Sequence, residues 1–369
     1  MFRDNEKISA TQIALILTLT MIGTGILTLP QSLAKEAGAD GWIIIVVGGV
    51  LGIALANIYG YIVKSHPHTK YMDILSMHLS KYVAYVIVVM TIIYLLILNG
   101  FIIRIFGEAI KMFLLFKTPI ELIIFSMLLV SVFLVRKGIE TLGRFAEIMI
   151  PIIFIPSLLL FMLALQNAEM KNLLPVFQVS IKEIVKAIPI VLFSFLGFEL
   201  LFIFGFFVNK PKEISEPINY AMIFVILAYI FLNSMTLLNF GVKQTQHLIW
   251  PTLSLFKTIE IPGLFIENVE ALVMSIWVLI AFTTIAPLHL ATSYLMADIV
   301  GMKDNKLLAL PILPIIYLIA MFSENIAETY AHLDKITNFL APTIVMIIPC
   351  ILALVIYARR RSGREGNKI

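Results

Sequence analysis

The chain is poor in cysteine and poor in charge. One thiol, Cys350, stands among 369 residues, and only 14% of the residues are charged. A single cysteine excludes an internal disulfide framework and any cysteine-built metal site; buried, it reads as an inert thiol. Soluble domains carry about 25% charged residues and roughly 45–50% apolar ones, whereas this chain is 60% apolar. That balance excludes a soluble globular protein, and a disordered one as well. The net charge of +4 resides in loops and at the C-terminus. No basic face is available to track phosphates, so no nucleic-acid partner is expected. The sequence also lacks a Walker loop, a dinucleotide glycine pattern after a strand and a His pair at zinc spacing. Neither enzyme chemistry, a cofactor nor a metal is expected.

Long apolar runs are abundant. They fall at about 9–34, 41–63, 82–115, 118–135, 142–166, 181–208, 217–240, 268–299, 307–323 and 333–357. A membrane helix needs about 20 apolar residues, and none of the runs alternates as a strand would. The expectation is an all-α integral membrane protein of ten transmembrane helices, forming a single domain over 1–369. The start does not read as a signal peptide. Asp4 and Glu6 interleave with Arg3 and Lys7, and the first run exceeds an h-region of about 7–15 residues despite a weak Ser32-Leu33-Ala34 cleavage pattern. Residues 9–36 are therefore expected to be a retained span. Lys and Arg gather in alternate loops: Lys64, Lys70 and Lys81; Arg136, Lys137 and Arg144; Lys210 and Lys212; Lys303 and Lys306. With Arg3, Lys7 and the Arg359–Arg361 cluster, the positive-inside rule places both termini in the cytosol and makes 358–369 a basic cytosolic tail.

Two segments between the spans are expected to be ordered. Thr69 to Leu79 reads as a short amphipathic helix on the cytosolic interface. Residues 241–267, with Trp250, Pro251, Pro262 and Gly263, form an external connection long enough to carry its own structure.

Five spans precede residue 170 and five follow it. An odd number per half orients the halves oppositely, which is the arithmetic of an inverted repeat, about 9–166 and 181–357. The first span of each half carries a matching interruption: Ile22-Gly23-Thr24-Gly25-Ile26 in the first, Phe195-Leu196-Gly197-Phe198-Glu199 in the sixth. Unwound backbone inside a membrane must be satisfied by protein, water or ligand. A half-helix N-terminus favours a carboxylate, and a half-helix C-terminus favours an ammonium or a cation. Paired interruptions thus point to a midplane site for a zwitterion. The competing reading is small-residue packing at Gly23 and Gly25.

The order of several motifs resembles the spore germinant-receptor B-subunit family, the spore permease branch of the amino acid–polyamine–organocation transporters. The resemblance rests on Lys7-Ile8-Ser9…Gln12, Ile22–Leu27, Leu29-Pro30, Arg144-Phe145-Ala146-Glu147, Phe195–Glu199 and Trp250-Pro251-Thr252. It continues through Ile261-Pro262-Gly263…Phe265-Ile266-Glu267…Glu270, Trp277 and Phe282-Thr283. It implies a LeuT-type fold with a 5+5 inverted repeat and broken helices 1 and 6. It also implies nutrient sensing in the spore inner membrane, with an A subunit and a lipoprotein C subunit as partners. By the same analogy Tyr94, Leu98, Thr283 and Ala286 would line the ligand pocket beside the two interruptions. The Pro262–Glu270 stretch would either contact a partner subunit or cap the external face.

Ionisable and polar groups at membrane depth carry the remaining expectations. Glu199 would pair with a ligand amine, carry a proton or hold the broken backbone. Arg144 and Glu147, three apart, share a helix face and would serve as a coupling charge or a structural pair. Arg104 and Glu108 read as a snorkelling ion pair. Thr283 and Thr284 would offer oxygens to a cation or bond their own helix. His289, after Pro287, reads as a satisfied packing histidine. Two functions remain open: a receptor subunit that senses an amino acid, and a proton- or sodium-coupled amino-acid transporter using the same site.

Overall fold

The computed structural model describes residues 7–258 and 269–361. Among the described residues every one of the ten apolar runs is helical over most of its length. Six helical stretches are long and apolar enough to cross a membrane, and shorter apolar helices accompany them, including Ile120–Val135 and Ala309–Ala320. The first half comprises α1 (Ala10–Gly25), α2 (Leu29–Ala37), α3 (Gly41–Ser65), α4 (Tyr71–His78), α5 (Lys81–Phe113), α6 (Ile120–Val135) and α7 (Ile139–Ala164). The second comprises α8 (Ile181–Ser194), α9 (Leu200–Phe204), α10 (Ser215–His247), α11 (Pro251–Phe256), α12 (Val269–Val300), α13 (Ala309–Ala320), α14 (Ile326–Ala341) and α15 (Ile348–Arg361).

Both leading helices start from the same local device. Ser9 and Gln12 form a capping box at α1, and Ser180 and Glu183 form one at α8. In each, the Ser hydroxyl accepts an orphan N–H three residues on, and the Gln or Glu side chain returns to the cap N–H. Each helix then runs to an interruption. In the sixth span it lies at Phe195–Glu199. In the first it lies at Ile26–Thr28, C-terminal to where the glycines suggested, and Ile22 to Gly25 stay helical. The reason is Pro30 near the start of α2: it has no N–H to return to the turn before it.

The core is built by α1 and α12 against each other, α12 along α5, and α10 along α3 and α1. Gly23 and Gly25 serve close approach. A Cβ on Gly23 would lie 1.8 Å from Thr284 Oγ1, and one on Gly25 would lie 2.3 Å from the Tyr229 hydroxyl.

The expected cytosolic helix exists as α4. It turns Tyr71, Ile74, Leu75 and His78 inward rather than lying free on an interface. Lys70 beside it pairs with Asp298 on α12. Arg359 at the end of α15 donates to the carbonyls of Met77 (2.8 Å) and His78 (3.1 Å), closing the C-terminus of α4. The end of α15 therefore lies on the same face as the Lys64–Lys81 loop.

The connection over 241–267, expected to be external, is structured as far as it is described. Gly241, at φ +67°, bends α10, and the exposed carbonyl of Leu238 is taken by the Glu169 N–H and the Asn172 amide, both at 2.9 Å. The Pro262–Glu267 stretch lies outside the described residues, and Glu270 lies in α12 with no description of its side chain. The tail beyond Arg361 is likewise outside them.

Two expectations about ion pairs change. Arg104 does not snorkel: it is 4% exposed. It binds Glu108 at 2.8 Å and donates to the carbonyls of Glu324 (3.0 Å) and Ala320 (3.4 Å), so its charge meets the C-terminal end of α13. Arg144 pairs with Glu140 at 2.5 Å rather than with Glu147, and both Arg144 and Glu147 are exposed. The face of α7 that meets the start of α1 is occupied by Gly143, whose Cβ would touch Gln12.

Candidate functional site

The sixth-span interruption turns on Gly197, at φ +121°. No L side chain adopts that value without strain. The turn frees the Gly197 N–H, which donates to Glu199 Oε2 at 2.6 Å. The other carboxylate oxygen of Glu199 accepts the Tyr94 hydroxyl of α5 at 3.0 Å. Glu199 and Tyr94 are both buried. The acid thus holds the broken backbone and ties it to the third span.

The two interrupted spans meet through Tyr229 of α10. Its hydroxyl lies 2.7 Å from both the Met21 carbonyl in the first span and the Ser194 carbonyl in the sixth. A second support comes from α11. Thr252 donates to the Ile26 carbonyl at 2.6 Å, and Trp250 donates to the Tyr330 hydroxyl of α14 at 2.8 Å. The Trp250-Pro251-Thr252 motif therefore locks the first interruption to the tenth span. Tyr229 was not singled out from sequence; a lone tyrosine in an apolar run was the available signal, since a buried phenol seeks a polar partner. Tyr229→Phe should lower stability by about 1–3 kcal/mol through loss of a buried donor. Thermal unfolding in detergent will read this as a lower Tm.

The space beside the first interruption and the end of α8 is small. A cavity of about 20 Å³ is lined by Gly23, Leu27 and Thr28 of the first span, Ile102 and Ile105 of α5, Phe193 of α8, Trp277 and Ala281 of α12, and Tyr330 and Leu333 of α14. That volume suits about one water molecule. Of the expected pocket residues only Gly23 lines it. Tyr94 and Leu98 are buried deeper along α5, and Ile102 and Ile105 stand at the cavity instead. Thr283 and Ala286 are also buried without lining it. The hydroxyls of Thr283 and Thr284 donate to the Ile280 carbonyl at 2.8 and 3.1 Å, as helix-bonded threonines do. Ile22 and Ile26 face a separate, larger chamber of about 390 Å³. Leu196 and Phe198 are packed in the turn; Phe198 meets Tyr59 edge-on at 5.5 Å, and Phe195 meets Tyr229 at 5.5 Å. Of Thr24 only the helical backbone is described.

Trp277 stands in the wall between the small cavity and the chamber. Its indole N–H is buried and has no acceptor among the described residues. A buried donor without an acceptor calls for an explanation, and here it offers a contact to an acceptor group on a ligand. His289 is satisfied on both sides, by Ser131 at 2.8 Å and the Ala309 carbonyl at 2.9 Å. Among the described residues no cluster of three His, Cys, Asp or Glu side chains is placed to hold a metal.

Helices interrupted at the midplane and braced by neighbouring spans define a multi-pass membrane protein of the LeuT-type transporter fold. The closed form of Mhp1, a nucleobase-cation-symport-1 family transporter with bromovinylhydantoin bound, matches with a TM-score of 0.68. That match covers 96% of this chain and 80% of Mhp1 at 11% identity. MhsT in complex with L-phenylalanine matches with a TM-score of 0.74, over 96% of this chain and 89% of MhsT at 13% identity. These likenesses establish the fold. The chain itself belongs to the spore germination protein family, whose model matches residues 7–329. Spore germination protein YndE of Bacillus subtilis (strain 168) is 27% identical over 366 residues, 99% of this chain and 100% of YndE. Spore germination protein A2 of the same strain is 29% identical over 279 residues, 75% of this chain and 76% of A2. GerLB of Bacillus cereus is 26% identical over 367 residues, 99% of this chain and 97% of GerLB. Family and fold together give the chain a non-enzymatic receptor or permease-like role in spore germination.

Proposed function

We propose that the chain is the nutrient-sensing subunit of a germinant receptor in the spore inner membrane, with both termini cytosolic. An A subunit and a C lipoprotein would be its partners. The ligand would be a small molecule, an amino acid in the simplest case, held between the interruptions of the first and sixth spans. The observation that carries this reading is the Tyr229 hydroxyl, which contacts carbonyls of both broken spans. A ligand that separates the spans must break this contact, and differential affinity for the opened form then shifts the population of the whole complex. The cavity of about 20 Å³ implies that binding requires such opening. Its apolar lining from Ile102, Ile105 and Phe193 suits a small aliphatic side chain, and the Trp277 N–H suits a carboxylate.

The second reading is a proton- or sodium-coupled amino-acid transporter using the same site. The fold match to MhsT, whose structure carries L-phenylalanine, favours it. Thr283 and Thr284 keep lone pairs after donating to Ile280, so a cation contact is compatible with their bonds. Binding and uptake of a labelled amino-acid panel by the purified protein in liposomes separates the two. Saturable binding without accumulation, lost in Gly25→Val, supports the sensor. Concentrative uptake driven by a proton or sodium gradient supports the transporter. Absence of saturable binding to every panel member would overturn the amino-acid site.

Glu199→Gln isolates the role of the charge. The amide oxygen can still accept the Gly197 N–H, and its NH₂ can donate to the Tyr94 oxygen. The fold should therefore persist while the charge is gone. A weakened or shifted dose–response with an unchanged Tm is expected if Glu199 engages the ligand. An unchanged curve would assign Glu199 to holding the interruption alone.

A further inference from the structure

A space roomier than the small cavity beside the first interruption lies along α7 and α10. It is a chamber of about 390 Å³ bounded by α7, α10, α11, α12 and the end of the first span. Ile22 and Ile26 form part of its inner wall. For scale, an apolar protein cavity of about 150 Å³ stays dry and takes up benzene.

Its chemistry selects one class of occupant. Among the described residues none that lines it is charged. Its hydroxyls are committed to backbone: Ser157 to the Ile153 carbonyl at 2.6 Å, Thr252 to Ile26, and Tyr229 to Met21 and Ser194. Beyond the single indole N–H of Trp277, a polar solute would surrender its hydration for nothing in return. The lip decides where an occupant enters. Leu158 of α7 and Leu227 of α10 border the chamber and are 49% and 60% exposed. Both are interior positions of membrane-spanning helices, so that exposure is to hydrocarbon. Two edge-on aromatic pairs span the gap between the same helices: Phe154–Phe224 at 4.9 Å and Phe161–Phe231 at 5.2 Å. The opening between them faces the bilayer interior.

We propose that this chamber is a lateral site for one acyl chain of a membrane phospholipid, entering between α7 and α10 and lying against Ile22 and Ile26. It is separate from the nutrient site and does not depend on the identity of the nutrient. Its inner wall is made by Ile22 and Ile26 of the interrupted first span together with Tyr229 of α10, so an inserted chain braces the element that Tyr229 holds.

Photo-crosslinking tests the site directly. The unaltered protein is placed in nanodiscs with phosphatidylglycerol bearing a diazirine midway along one acyl chain, irradiated, digested and mapped. Lipids around the perimeter label outward positions such as Phe133 and Leu129, which are exposed on α6. An inserted chain labels in addition the peptides carrying Ile22–Ile26 and Trp277–Ile280, which perimeter lipids do not reach. Ala228→Phe fills the chamber from α10 and should abolish the inner labels while keeping the perimeter ones. Ser157→Phe does the same from α7 and serves if the first variant fails to fold. Labels confined to the perimeter would overturn the proposal, as would inner labels that persist at full strength in a folded, chamber-filled variant.

Discussion

Gly197→Val is expected to abolish ligand binding and to lower stability severely. The native φ of +121° is closed to a β-branched residue. Holding a non-glycine residue in such a region costs about 1–3 kcal/mol. Sterics add to this. A Cβ at Gly197 would lie 2.7 Å from Thr20 Cγ2 and 3.2 Å from the Met21 backbone nitrogen. Overpacking of a tight core costs a further ~1–3 kcal/mol. The clash falls on the first span beside Met21, whose carbonyl Tyr229 binds, so the sixth-span turn and the first span are displaced together. The measurement is thermal unfolding in detergent alongside ligand binding in liposomes. Gly197→Ala should show the same dihedral cost with a smaller steric one. A valine variant with the parental Tm and parental binding would show that the sixth span does not need its turn at Gly197.

Asp40→Ala is expected to have the next largest effect. Asp40 is 1% exposed. Its carboxylate accepts the backbone N–H groups of Phe177 at 2.7 Å, Val179 at 2.9 Å and Gln178. These belong to the connection between the two halves. Phe177 sits at φ +60°, a left-handed conformation disfavoured by roughly 1–2 kcal/mol for a bulky residue. Asp40 stabilises that conformation, and Phe177 packs edge-on against Trp42 at 5.9 Å. Removing the carboxylate leaves three donors facing a methyl group; hydrogen bonds to a charged group contribute about 1.5–3 kcal/mol. The expected outcome is a loss of about 2–4 kcal/mol and early proteolytic nicking between residues 165 and 180. Asp40→Asn should fall between, because one amide oxygen remains but an N–H then opposes an N–H. Equal protease resistance in Asp40→Ala and the parent would refute the latch.

The effects differ in kind. Gly197 acts on the site through backbone geometry. Asp40 acts at a distance from it, on the segment that joins the halves. Tyr229 lies between, since its hydroxyl touches the first and sixth spans at once. A residual stability loss in Asp40→Ala with normal binding, set against lost binding in Gly197→Val, would separate scaffold from site.

Much of the fold was legible in the sequence because it rests on local physics. Apolar runs of span length can only be helices in a bilayer. The two Ser-led capping boxes that start α1 and α8 also act within four residues, although they were not singled out from the sequence. The sixth-span interruption was legible because Gly197 needs a positive φ, a property of one residue. The first-span interruption was misplaced for an equally specific reason. Gly23 and Gly25 are small because Thr284 and Tyr229 press on them, and the helix gives way later, ahead of Pro30.

Sequence by itself determined the class of protein, the spans and the interruption around Gly197, because each depends on neighbours along the chain. Only the tertiary structure decided which side chains complete the site. Tyr229 reaches Met21 and Ser194, Tyr94 reaches Glu199, Thr252 reaches Ile26, and Arg104 turns to the end of α13 rather than to solvent. Those partners lie tens to hundreds of residues apart, and no periodicity links them. Their choice follows from packing the helices together, where every buried donor must find the acceptor that the fold brings within reach.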